Sequence, residues 1–122
     1  MNLSFDWVMP AAGVHVILAF EDHRQIGSLR VEVSRPGSTR FRIDKVEVVP
    51  EKRRQGVATA MAEHFHERFG ECSLYHWDFT SAAGAYWALA MRERHPGWNE
   101  ISSRHGGIYS RIITAAGPIP RA

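Results

Sequence analysis

The run Arg53-Arg54-Gln55-Gly56-Val57-Ala58 has the clearest chemical potential in the chain: two guanidinium groups stand just ahead of a glycine, and a helical apolar pattern begins at Val57. Backbone N–H groups in the first turn of a helix have no intrahelical partner, and the helix dipole places partial positive charge at the same end. Gly56 lets the main chain come close to a ligand. The turn therefore suits a diphosphate held largely by backbone amides, with Arg53 and Arg54 adding formal charge. Thr59, on that first turn, has a hydroxyl that can donate to a phosphate or bond back to its own helix.

Other reactive groups are dispersed. Asp44 and Glu47 lie in the run that leads to the turn, His76 in a later strand-like segment and Tyr86 in a second helical one. The seven histidines show no paired ligand spacing, and His64 and His66 fall on different sides of a helix, so no metal site is expected. Cys72 is the sole cysteine, which rules out an intramolecular disulfide and gives no sign of an oxidising compartment.

The elements that must position these groups follow from periodicity. Val14 to Phe20 and Gln25 to Ser34 read as strands joined by the polar turn Glu21-Asp22-His23-Arg24. A Pro36-Gly37 turn precedes a strand from Phe41 to Val49, which Pro50 ends by removing a ladder donor. Val57, Met61, Phe65 and Phe69 recur every four residues as one helical stripe that Gly70 stops. Leu74 to Phe79 reads as a short strand, and Ser81 to about Arg94 as a second helix closed by Pro96-Gly97. Trp98 to Ser103 and Ile108 to Thr114 read as a final hairpin around His105-Gly106-Gly107. Leu3 to Val8 is the candidate first strand.

At 122 residues the chain is long enough for one core and too short for two, so residues 1–122 are expected to form a single domain. A formal charge of +2, with basic and acidic residues interleaved, is too small an excess for a nucleic-acid partner. No apolar run approaches a membrane span, and Met1 to Asp6 lacks the features of a signal peptide, so a cytoplasmic protein is expected.

The Arg53-Arg54-Gln55-Gly56-Val57-Ala58 turn, placed between a β-branched strand ending in Val48-Val49-Pro50 and an amphipathic helix, resembles the acetyl-CoA-binding motif of the GNAT N-acetyltransferase superfamily. The order of elements from about Val14 onward matches that fold's core. The resemblance implies an α/β (α+β) fold with a mixed, mostly antiparallel central sheet flanked by helices. The usual N-terminal helix pair has no room before Val14, so the acceptor side is expected to be open or completed by a second copy, as a homodimer.

Further implications concern the site. The resemblance implies acetyl-CoA as co-substrate, bound by Val48, Val49, Arg53, Arg54, Gln55, Gly56, Val57, Ala58, Thr59 and Ser81. Backbone N–H groups at Val48 and Val49 would stabilise the acyl oxygen while a primary amine, on a small molecule or a peptide, attacks the thioester directly. A base would come from Asp44, Glu47 or His76. Asp44 and Glu47 have opposite parity, so only one faces the acceptor unless a bulge intervenes. The family's acid is commonly a tyrosine in the second helix, in the pattern Asn-x-x-Ala-x-x-Phe-Tyr. Here Thr80-Ser81-Ala82-Ala83-Gly84-Ala85-Tyr86-Trp87 puts a tryptophan in that position. Either the register slips and Tyr86 serves, or the thiolate leaves unassisted; Tyr109 is a more distant candidate. A catalytically weak acyl-CoA-binding module for sensing or docking is the alternative from another class, and a small nucleic-acid-binding domain using Arg53 and Arg54 a third.

Overall fold

The computed structural model describes residues 2–76 and 81–100. Five strands form one sheet in the order β1-β2-β3-β4-β5: β1 (Leu3–Ala11), β2 (Val14–Glu21), β3 (Arg24–Val33), β4 (Arg40–Val48) and β5 (Ser73–His76). The first four pair antiparallel and β5 joins β4 in parallel. Parallel neighbours need a long crossover, supplied by α1 (Val57–Phe69). Helix α2 (Ala82–Arg94) follows β5, and a 3-10 turn (Pro96–Glu100) follows α2.

The turns obey local chemistry. Asp22 and His23 both take positive φ (49° and 65°), as a two-residue hairpin whose twist matches its strands requires. The β1–β2 link is only Ala12-Gly13, so no helix intervenes there. Strand β1 runs three residues beyond Val8, through Pro10, because an edge strand can carry a residue without an N–H.

One face of the sheet is buried against α1. Ile17, Ala19, Leu29, Val31, Phe41 and Ile43 meet the helix stripe Val57, Met61 and Phe65, with Phe69 packed at the margin. Bare Gly27 brings the start of α1 close to β3: a Cβ there would lie 3.1 Å from both Val57 Cγ1 and Met61 Cε. Helix α2 adds Ala88 and Met91 to the same core. Among the described residues no helix covers the opposite face, which carries the polar side chains of β3 and β4. No described helix is long and apolar enough to cross a membrane.

One expected element changes. Trp98 does not open a strand but lies in the 3-10 turn, its N–H bonded to His95 O at 2.9 Å and its ring 1 % exposed. Pro96 starts that turn, and burying the indole against Phe41, His66 and Trp87 fixes it there. The rest of the expected hairpin, including Tyr109, and the end of the Leu74–Phe79 strand lie outside the described residues.

The 3-10 turn crosses so near β5 that a Cβ on Gly97 would sit 2.4 Å from the Cys72 carbonyl oxygen. Backbone cannot yield as a side-chain tip can, so Gly97→Ala should destabilise the fold by about 1–3 kcal/mol, the usual range for overpacking. Chemical denaturation checks this; an unchanged midpoint would mean that the turn moves freely from β5.

Candidate active site at the start of the first helix

Strand β4 delivers the chain to the site with a change of register. Arg30 pairs with Lys45 but Val31 pairs with Ile43, so Asp44 is the extra residue of a β-bulge. The bulge resets alternation. Phe41 and Ile43 face the core before it and Val46 and Val48 pack against the core after it. Arg42, Lys45 and Glu47 pair across with Glu32, Arg30 and Ser28, so they share the opposite face. Asp44 and Glu47, of opposite parity in the sequence, thus reach the same side. Asp44 binds Arg42 Nε at 2.9 Å and Arg30 Nε at 3.6 Å, Glu47 binds Lys45 Nζ at 3.1 Å, and Arg42 also binds Glu32. His76 ends β5, and its side chain lies outside the described residues.

The bulge is also where the sheet opens. Strand β5 pairs with β4 only at Arg40, Phe41 and Arg42, and within the described residues the far half of β4 has a free edge. Val49 N–H donates to Ile26 O at 2.9 Å, so the amide is committed to the ladder. The alternation of an antiparallel ladder then turns the N–H and C=O of Val48 away from β3, to that open edge. Of the two amides expected to face an acyl oxygen, only Val48 retains that geometry. Its carbonyl accepts from Arg53 Nε at 3.0 Å, which ties the basic turn to the strand end.

Beyond β4 a 3-10 turn (Pro50–Lys52) leads to Arg54 (φ 64°) and Gly56 (φ 84°), two left-handed residues that reverse the chain into α1. No side chain caps the helix at Gly56, and nothing lies within 4 Å of where its Cβ would be. The amides of Val57, Ala58 and Thr59 precede the first helical bond, from Ala60 N to Gly56 O at 2.9 Å. Lys52 pairs with Glu21 and Glu51 with Arg24, whereas Arg53 and Arg54 have no acidic partner among the described residues. Gln55 is held by its own turn, Nε2 donating to Glu51 O at 3.0 Å. The mouth of α1 thus has uncovered donors and two cations without a counter-ion.

Helix α2 meets this mouth through Trp87, whose Nε1 donates to Thr59 Oγ1 at 3.0 Å. Tyr86 lies about 100° round the helix and is 62 % exposed. The slipped register that would have made Tyr86 the acid is therefore not adopted: the indole takes the position turned to α1. Ser81 caps α2, its Oγ accepting from Gly84 N at 3.0 Å, and that use of the hydroxyl accounts for the serine without a cofactor.

Two other features lie farther along α1, one at its far end and one over its second half. One is an open groove of about 400 Å³ lined by Trp7, Met9, His15, Arg68 and Phe69. The other joins three elements. His95 Nδ1 meets Glu71 Oε1 at 2.9 Å and its Nε2 meets Glu63 Oε1 at 2.8 Å, while its ring stacks on His66 at 3.9 Å. His66 Nε2 accepts the Trp98 indole N–H at 3.1 Å. Donor atoms of His66, Glu71 and His95 lie within 4.8 Å of one another, as a metal would need. The two rings are near-parallel (14°), and their nitrogens are engaged: those of His95 by Glu63 and Glu71, and Nε2 of His66 by Trp98. The sequence reading tested His64 against His66 and missed this cluster, because its members come from α1, the β5 approach and the end of α2.

No protein-family model and no curated protein matches the chain. Among solved structures it is similar to an aminoglycoside acetyltransferase from an uncultured soil metagenomic sample, with a TM-score of 0.52 and 19% identity. The chain has an acetyltransferase-like fold. The match covers 70% of this chain and 59% of that one, so it spans less than two thirds of the neighbour's length.

Burial alone would lower the pKa of His95, but the hydrogen bonds to Glu63 and Glu71 outweigh it and hold the imidazole above the usual histidine range. A raised folded pKa gives stability that is full below the unfolded value of about 6.5 and is lost as pH rises through the folded one. His15, His64 and His66 are shifted down, mainly by burial, and act with the opposite sign, so the comparison must be with a variant. Relative to His95→Gln, the wild type should be more stable near pH 6 by about 1 kcal/mol, and that advantage should vanish toward pH 9. Denaturation curves across this range check it; a pH-independent difference would show that His95 does not bridge the carboxylates as an imidazolium.

Proposed function

We propose that the protein is a GNAT-type N-acetyltransferase that moves the acetyl group of acetyl-CoA to a primary amine by direct attack. The observation that carries this reading is the uncapped start of α1, flanked by Arg53 and Arg54, which have no acidic partner among the described residues, at the end of a strand whose edge is free within those residues. A diphosphate satisfies the amides of Val57, Ala58 and Thr59 together with the two cations. The pantetheine arm then runs along the open edge of β4, its amides completing the interrupted ladder. The thioester carbonyl reaches the Val48 N–H, which stabilises the oxyanion formed on attack.

Proton transfer falls to the outer face. Glu47 or Asp44, directly or through water, takes the proton from the incoming ammonium, and His76 is a third candidate from β5. With Trp87 in the acid's position, the thiolate leaves without a protein donor, which the modest basicity of a thiolate permits. The sheet face that no described helix covers is the side offered to a small-molecule or peptide amine. The alternative, an acyl-CoA-binding module with little turnover, draws on one observation: both carboxylates are already paired with basic neighbours.

Calorimetry with CoA and thiol release from acetyl-CoA over an amine panel separate these readings. Heat with turnover supports the enzyme, heat without turnover the binding module, and no heat removes both. Gly56→Glu should weaken CoA binding at least tenfold relative to Gly56→Ala, because both share the cost of a positive φ while only glutamate adds bulk and like charge. Equal affinity in the two variants would move the diphosphate elsewhere. Tyr86→Phe should keep turnover within about twofold, whereas a loss of about 10²-fold or more would restore Tyr86 as the acid.

A further inference from the structure

We infer that Trp87 is a positioning residue for the acyl donor, committing the Thr59 hydroxyl to donate into the mouth of α1. The inference rests on the reading of that mouth as the CoA diphosphate site. An indole N–H can only donate, and a threonine hydroxyl has one proton to give and two lone pairs to accept with. Trp87 Nε1 occupies one of those lone pairs at 3.0 Å. Thr59 Oγ1 has no other polar partner among the described residues, so its proton has no protein acceptor there.

The usual alternative for such a hydroxyl is the carbonyl four residues back. For Thr59 that residue is Gln55, which lies ahead of the helix cap. The carbonyl three back, on Gly56, accepts from Ala60 N, and among the described residues no hydrogen bond joins it to the Thr59 hydroxyl. Thr59 therefore offers its backbone N–H and its O–H at one helix end, both as donors. The indole itself is held edge-on to Trp98, centroids 5.6 Å apart at 88°. Trp98 is anchored through His66 at 3.1 Å. Helix α2 thus acts on the donor site through α1, with no contact of its own to a phosphate needed.

A tryptophan working this way should set affinity for the donor and leave the chemical step alone. Thr59→Val should raise the Kd for CoA about tenfold, the low end for a hydrogen bond to a charged group, and Thr59→Ser should keep the wild-type value. Trp87→Phe, which retains the ring and removes the N–H, should raise Kd and the KM for acetyl-CoA about fivefold, with kcat within about twofold. Adding Trp87→Phe to Thr59→Val should cost nothing more, since the indole acts only through the hydroxyl. Independently of how Trp87→Phe folds, the Trp87 indole N–H resonance should move when CoA is added to wild type and stay still in Thr59→Val. Additive losses, an unchanged Kd in a folded Trp87→Phe, or a resonance that moves equally in both proteins would overturn the inference while leaving CoA binding intact. A wild type that gives no heat with CoA would remove the diphosphate reading and this inference with it.

Discussion

Helix α1 begins bare, and the arrangement of the site depends on that beginning. The two helices solve the same problem differently. Helix α2 closes its first turn with the Ser81 hydroxyl, whereas α1 starts at a glycine whose φ of 84° no side chain assists. Glycine at a cap is only a few tenths of a kcal/mol poorer than serine, so the bare start is a small cost in stability. Its effect on the surface is larger. Three amides, the positive end of the dipole and two guanidinium groups without counter-ions among the described residues face outward together, an arrangement that favours an anion over solvent.

The bulge at Asp44 sets what lies beside that mouth. Without it, alternation along β4 would turn Glu47 to the core face with Phe41 and Ile43 and expose Val46 and Val48. With it, the apolar residues on both sides of Asp44 face the core and the carboxylates share the opposite face. The same irregularity coincides with the last β4–β5 pair, at Arg42. One inserted residue thus accounts for the grouping of the carboxylates and accompanies the opening of the Val48 edge. The charges there are interleaved, Glu32, Arg42, Asp44 and Arg30 forming one chain of contacts and Lys45 with Glu47 another, so the face is polar without strong net charge.

Periodic features were legible in the sequence and those set by register were not. The Val57-Met61-Phe65-Phe69 stripe and Gly70 gave α1 its bounds, and the Asp22-His23 turn fixed the β2–β3 hairpin, because each is a local pattern with one low-energy solution. The bulge has no such signature: nothing in Ile43-Asp44-Lys45 marks the extra residue, which is placed by the need to bury Val46 and Val48. The Val49 amide was misassigned for the same reason, since which amides face an edge depends on ladder phase. Trp87 and Tyr86 could not be told apart by a motif written for Phe-Tyr. The burial of Ala85, Ala88 and Met91 orients α2 and turns Trp87, not Tyr86, to the neighbouring helix. His95 sits between its carboxylates only because three elements end together.

The attachment of α2 explains why these polar contacts matter to the site. Its buried residues are Ala85, Ala88, Met91 and Arg92, and the two alanines bury little apolar area, so directional contacts add to packing in setting its position. Directional contacts supply what is missing: Trp87 to Thr59 near the start of α1, and His95 with Arg94 to Glu63 at its middle. Trp98 connects the two, edge-on to Trp87 and hydrogen-bonded to His66, which stacks on His95. A helix held at two points along its neighbour cannot roll without breaking one of them. The rotation that would bring Tyr86 toward the α1 mouth would therefore pull the Trp87 indole off Thr59 and turn a 62 % exposed phenol inward. The fold thus keeps the Trp87 indole, rather than the Tyr86 phenol, turned to the start of α1.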